Sequence, residues 1–152
     1  MNDLIIFIIL VVTGFIAGTI AEKRHYASIK RRESSLTGLP AVTMEDAGIE
    51  EKNIEKVYLV MGECVVALDY FKMIAAGLKT IFGGRITSYE TLIDRGRREA
   101  VLRMKERAAK AGCSIIINMR IETSSIGQNA NRKGGTGSVE VFAYGTGVVL
   151  KK

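Results

Sequence analysis

The run LIIFIILVVTGFIAGTIA, Leu4 to Ala21, carries no charge over 18 residues. At a helical rise of about 1.5 Å per residue it reaches about 27 Å, near the thickness of a bilayer's hydrocarbon core. It predicts a membrane-spanning helix over residues 1–21, then a basic juxtamembrane segment and linker over 22–53, then a folded domain over 54–152. A cleaved export signal would begin with positive residues and end in a small-residue cleavage site. Here Met1-Asn2-Asp3 carries an acid, and the positive charges follow the apolar run. Lys23, Arg24, Lys30, Arg31 and Arg32 face a single acid, Glu22, in that stretch. The asymmetry predicts a single pass of a bacterial inner membrane, with the N-terminus outside and the domain in the cytoplasm.

Gly14 and Gly18 form a GxxxG inside the apolar run, with Thr13 and Ala17 beside them. Such a face lets two helices approach closely and is a candidate oligomerisation contact; lipid-facing glycines are the other reading. The following AEKRHYASIKRRE is charged enough to continue as a helix beyond the headgroups and to attract anionic lipid. His25 is read there as solvated and Tyr26 as an interfacial anchor.

Glu33 to Asn53 contains the only proline, Pro40, and reads as linker with a short strand around Ala41 to Thr43. YLVMGECVVAL, Tyr58 to Leu68, is apolar on both alternating faces except at Glu63, as a strand covered on both sides requires. Asp69 can cap a helix over Tyr70 to Phe82, where Phe71, Ile74, Ala75, Leu78, Ile81 and Phe82 recur at three- and four-residue steps. Gly83 stops it, and Thr87 with Glu90 matches a capping box that opens a second helix, Tyr89 to Ala111. The glycine pair in FGGRITSYE is therefore read as the joint between helices rather than a phosphate cradle.

The second helix carries a stripe at Leu92, Gly96, Ala100, Met104 and Ala108, small enough in part to let a sheet approach closely. The acid-first pairs Asp94/Arg98, Glu99/Arg103 and Glu106/Lys110 are read as its solvated face. Gly112 ends it. SIIINMRIE, Ser114 to Glu122, predicts a half-exposed strand with Ile115, Ile117, Met119 and Ile121 on one face. Ser124 to Ser138 reads as a polar loop, and VEVFAYGTGVVL closes the chain as a strand with Gly145 and Gly147 at a bulge or beside a tight neighbour. The order strand, helix, helix, strand, strand predicts an α+β domain with helices on one side of a small sheet. A sheet this small hides its edges by pairing with copies of itself or by closing.

Composition narrows the function. The net charge of +6 is concentrated beside the apolar run, and without tryptophan or a basic stripe interleaved with aromatics no nucleic-acid partner is expected. Cys64 and Cys113 stand 49 positions apart with no histidine nearby, so they read as buried reduced thiols, and no metal ligand set or cofactor is expected. The domain has no histidine to serve a serine nucleophile, so no enzyme is expected.

GECVVALDYFK from Gly62, FGGRITSYE from Phe82, the arginine-rich helix ending in Ala111-Gly112, and VEVFAYGTGVV from Val139 together resemble the YbjQ-like family, in its subgroup with an N-terminal membrane anchor. The likeness covers most of Leu39 to Leu150. It implies small α+β subunits that assemble through their sheets into ring-like homopentamers, with no established enzymatic activity and a heavy-metal-binding label. The chain departs from the family's pattern at Asn118-Met119, where Gly-Val is more usual, and in its long loop around Asn129 to Gly137.

The expected function is thus a membrane-anchored, cytoplasm-facing ring of identical subunits serving as a scaffold or adaptor, with lipid and a membrane protein as further partners. The alternative is a metal- or small-ligand-binding ring with sites between subunits. Its candidate ligand residues are Glu63, the one acid in an apolar strand, Arg85, Tyr89 and Glu90 in the helix joint, and Arg120 on the polar strand face.

Overall fold

The computed structural model describes residues 2–67, 88–126 and 138–151. The helix expected over Tyr70 to Phe82, with Asp69, Gly83, Arg85 and Thr87 around it, lies outside the described residues. So does most of the loop expected over Ser124 to Ser138, although its first residues continue a strand as far as Ile126.

α1, Asn2–Ser35, is one helix of 34 residues, about 51 Å long. Its N-terminal part is apolar, mostly exposed and nowhere buried, and is long and apolar enough to cross a membrane. The helix does not stop at the charged residues. Beyond Ala21 it keeps a regular inward face made of Glu22, His25, Tyr26, Ile29, Arg32 and Glu33, which recur at three- and four-residue steps, and Ile29 is wholly buried.

Pro40 to Met44 then runs along a strand edge. Ala41 bridges Ile116 in parallel, and the backbone N–H groups of Val42 and Ile116 donate to Ile116 and Pro40 carbonyls, each at 2.9 Å. Where the sequence predicts a short strand around Ala41 to Thr43, the structure has an isolated bridge. A three-residue 3-10 turn, Glu51–Asn53, leads into β1, Ile54–Ala67.

α2, Ser88–Lys110, matches the second expected helix closely. It ends as glycine chemistry requires: Gly112 takes φ +75°, Gly112 N–H donates to Ala109 O at 3.1 Å and Cys113 N–H donates to Ala108 O at 3.0 Å. β2, Ile115–Ile126, and β3, Ser138–Leu150, complete an antiparallel sheet of order β1-β3-β2.

α2 covers one face of this sheet. Leu92, Ala100, Met104 and Ala108 pack on Val60, Cys64, Val66, Val139, Val141 and Ala143, the alternate residues of β1 and β3. The small residues set the spacing. A Cβ on Gly62 would collide with the backbone carbonyl of Ala100 and the backbone nitrogen of Met104, so strand and helix touch main chain to main chain there. Gly145 and Gly147 likewise have tight neighbours, since added Cβ atoms would lie 2.9 Å from Ile116 and 2.7 Å from the Cys113 sulfur.

Two strand expectations are corrected. Among the described residues β1 is covered on one face only: its alternate residues Val57, Leu59 and Val65 are 56%, 70% and 59% exposed. β2 does not keep a single alternation, because a bulge between Ile117 and Arg120 inserts one residue opposite β3. The wholly buried residue is Ile116, whereas Ile121, across the bulge, is 37% exposed. Asn118 in the bulge has φ 50°, a left-handed conformation that asparagine tolerates and glycine adopts freely, the physical sense of a glycine at that place.

Candidate functional site

Among the described residues the densest polar cluster joins the C-terminal half of α1 to α2, and its centre is Glu99. The Glu99/Arg103 pair does not lie on a solvated face: Glu99 is 3% exposed, because it flanks the buried stripe between Gly96 and Ala100. Its carboxylate accepts from both terminal nitrogens of Arg32, and from Arg103 Nε at 2.8 Å. His25 Nε2 lies 3.4 Å from Glu99 Oε2, which corrects the reading of His25 as solvated. Burial works against the charge of Glu99, but the hydrogen bonds from Arg32 and Arg103 outweigh it and hold the carboxyl below its ordinary range.

Further pairs run along the same seam. Arg98 donates to Glu33 through Nε at 2.8 Å and a terminal nitrogen at 2.6 Å, and this bidentate hydrogen bonding is the main reason the Glu33 carboxyl also sits low. Lys105 Nζ donates to Leu36 O at 3.2 Å. Tyr26, expected to anchor at a lipid interface, instead donates its hydroxyl to Thr91 O at 3.1 Å and sits under Arg98, whose Cζ is 5.8 Å from the ring centre. α1 therefore lies along α2 with both chains running the same way, so the apolar half of α1 projects from the end where α2 begins.

On the far side of α2, Arg103 and Arg107 reach over the β1 edge. They donate to the carbonyls of Glu63 and Met61, both at 2.9 Å. Two backbone acceptors on β1 are thereby occupied.

The expected ligand residues are not brought together. Glu63 is exposed and its carboxylate lies 3.8 Å from Arg107, not beside Arg120. Glu63 faces Phe142 and Arg120 faces Tyr144, which puts them on β1 and β2, either side of β3 and roughly 12 Å apart. Tyr89 and Glu90 fall in the first turn of α2, with their side chains outside the described residues, as is Arg85. Gly14 and Gly18 lie on α1. Cys64 and Cys113 are free and buried, and burial pushes both thiols up, away from the thiolate that a soft metal needs. Among the described residues no three His, Cys, Asp or Glu side chains converge on one point.

The Glu99 cluster is the main feature that sequence reasoning missed. Two signals for it were present. Glu99 stands three residues after Gly96, on the flank of the stripe, and Ile29 is a lone isoleucine in a charged helix at the spacing that aligns it with His25, Tyr26, Arg32 and Glu33.

Fold and site together define a small α+β domain whose sheet, among the described residues, leaves one apolar face uncovered and which is clamped to an apolar N-terminal helix. The YbjQ family, described as "Putative heavy-metal-binding", matches residues 41–151, and the chain belongs to it. The match begins after α1. A UPF0145 protein of Hahella chejuensis is 41% identical over 104 residues, covering 68% of this chain and 92% of its own. One from Dehalococcoides mccartyi is 39% identical over 100 residues, covering 66% of this chain and 88% of its own. A solved structure of a protein of unknown function from Pediococcus pentosaceus aligns over 75% of this chain and 99% of its own, with a TM-score of 0.46 and 15% identity.

Proposed function

We propose that the protein is a single-pass membrane-anchored ring of identical subunits, pentameric as the family resemblance implies, that faces the cytoplasm and acts as a scaffold or adaptor without catalysis. The observation that carries this reading is the outer face of the sheet. Val57, Leu59 and Val65 stand largely exposed on a regular strand, beside half-buried Phe142 and Tyr144. Covering such a face favours association by roughly 25 cal/mol for each Å² of apolar surface removed from water.

The clamp between α1 and α2 supports the scaffold role. Each subunit would hold its sheet at a set height and angle to the bilayer instead of trailing on a flexible linker. Several anchors in one ring add their membrane affinities, and the ring presents repeated copies of one surface to a membrane-bound partner. The metal- or small-ligand-binding alternative has less support, because Glu63 is engaged by Arg107 and the buried thiols are unfavourable ligands. Native mass spectrometry of the full chain in mild detergent tests the proposal. A five-subunit mass is expected at micromolar concentration; a single-subunit mass there would remove the ring.

A further inference from the structure

A cleft of about 440 Å³ opens between α1 and the end of β1, lined by Gly18, Ala21, Glu22, His25, Arg95 and Arg103 together with residues 64–67. We propose that this cleft binds the phosphate headgroup of an anionic phospholipid, with Arg95 as its main donor. The inference rests on the membrane-anchored reading of α1 and adds to it a defined lipid site.

Position is the first argument. Gly18 and Ala21 belong to the last turn of the uncharged run, and Glu22 and His25 to the first charged turn after it. In a spanning helix that junction lies where hydrocarbon gives way to headgroups. The cleft straddles it, because Val65, Val66 and Ala67 at the end of β1 line its other wall. One half is apolar and suits the start of an acyl chain, while the other carries the charged groups.

The second argument is donor capacity. Arg103 is committed to Glu99 and to the Glu63 carbonyl, and His25 lies against Glu99. Arg95 is different: its Nε is buried without an acceptor among the described residues. A terminal nitrogen of Arg95 lies 4.0 Å from Glu22 Oε1, the outer limit of an ion pair. A guanidinium carries five N–H donors in a planar fork, and a phosphate diester offers oxygens that match it. A buried donor left unmade is costly, so an acceptor of this kind gains from both charge and hydrogen bonding. A free phosphate would satisfy Arg95 but leave the apolar half unused, which favours the lipid.

The test uses the full chain in mild detergent, titrated with phosphatidylglycerol or phosphatidylcholine and read by native mass spectrometry. Phosphatidylglycerol should bind the wild-type chain more tightly, and Arg95→Gln should weaken it by about tenfold, the order expected for one charge-assisted hydrogen bond. Arg24→Gln, an exposed cation one turn from the cleft, should change it little. Equal losses in the two variants would mean diffuse attraction to a basic surface and would overturn the site. So would displacement of the lipid by millimolar inorganic phosphate, which would make the ligand a soluble anion.

If Arg95→Gln fails to fold, Arg95→Lys keeps the charge but not the fork. It should then lose most of the extra thermal stability that phosphatidylglycerol gives the wild type; full retention overturns the assignment. Alkaline carbonate extraction of membranes reports separately on the anchor. A chain that stays in the membrane yet shows no lipid preference sinks the site alone, whereas a chain washed off sinks the anchor and the lipid site together.

Discussion

Glu99 concentrates in one side chain the forces that couple the two long helices. Its carboxyl is held below its ordinary range, as is that of Glu33, so each contributes stability that is fully present above the unfolded carboxylate range. That contribution is lost as pH falls through the lowered folded values, below about pH 4. Glu99→Gln should therefore destabilise the chain by roughly 1–3 kcal/mol at pH 7, a range below that of fully buried pairs because Arg32 and Arg103 are partly exposed. The difference between variant and wild type should shrink toward pH 3 in urea unfolding curves. A difference independent of pH would mean that packing, not charge, holds the seam. Asn118 shows the other kind of residue-scale information: its left-handed backbone was hinted at by the familial preference for glycine there, but the bulge that needs it was not legible in the run SIIINMRIE.

Between elements, the contact of α2 with β1 is set by backbone approach at Gly62. Gly62→Ala places a methyl against the Ala100 carbonyl and Met104 nitrogen, which cannot move without shifting the helix. A loss of about 2 kcal/mol is expected, visible as a lowered midpoint in thermal unfolding. An unchanged midpoint would mean that α2 can slide outward freely. The elements of this layer were largely readable beforehand. The α2 stripe, its Gly112 stop and β1 rest on local periodicity and cap chemistry, which act over a few residues. The reversal of faces in β2 was not, because a bulge depends on what the neighbouring strand presents. Nor was the docking of α1 on α2, since a charged helix face reads the same whether its partner is water or a helix 65 or more positions away.

For the molecule as a whole, the proposed assembly turns on the sheet face that the described residues leave exposed. Leu59→Lys puts a charge at its most exposed apolar position, 70% accessible, where it disturbs little within the subunit. If the ring forms through this face, the variant should shift the mass of the full chain toward the single subunit while leaving its circular dichroism unchanged. A variant that keeps the wild-type mass would direct attention to another surface. Arg103 and Arg107 already occupy two carbonyls of the β1 edge, so assembly by simple strand addition there would have to displace them.

The sequence by itself determined the apolar span, the α+β class with the order of β1, α2, β2 and β3, the stripe of α2 and the family likeness, because each depends on spacing along one stretch of chain. Only the tertiary structure decided that Glu99 is buried, that His25 and Tyr26 face a helix rather than solvent or lipid, and that Glu63 and Arg120 stand on opposite edges. Burial and pairing belong to surfaces brought together from distant parts of the chain, and a charged residue becomes an interior ligand or a solvated one according to which surface arrives.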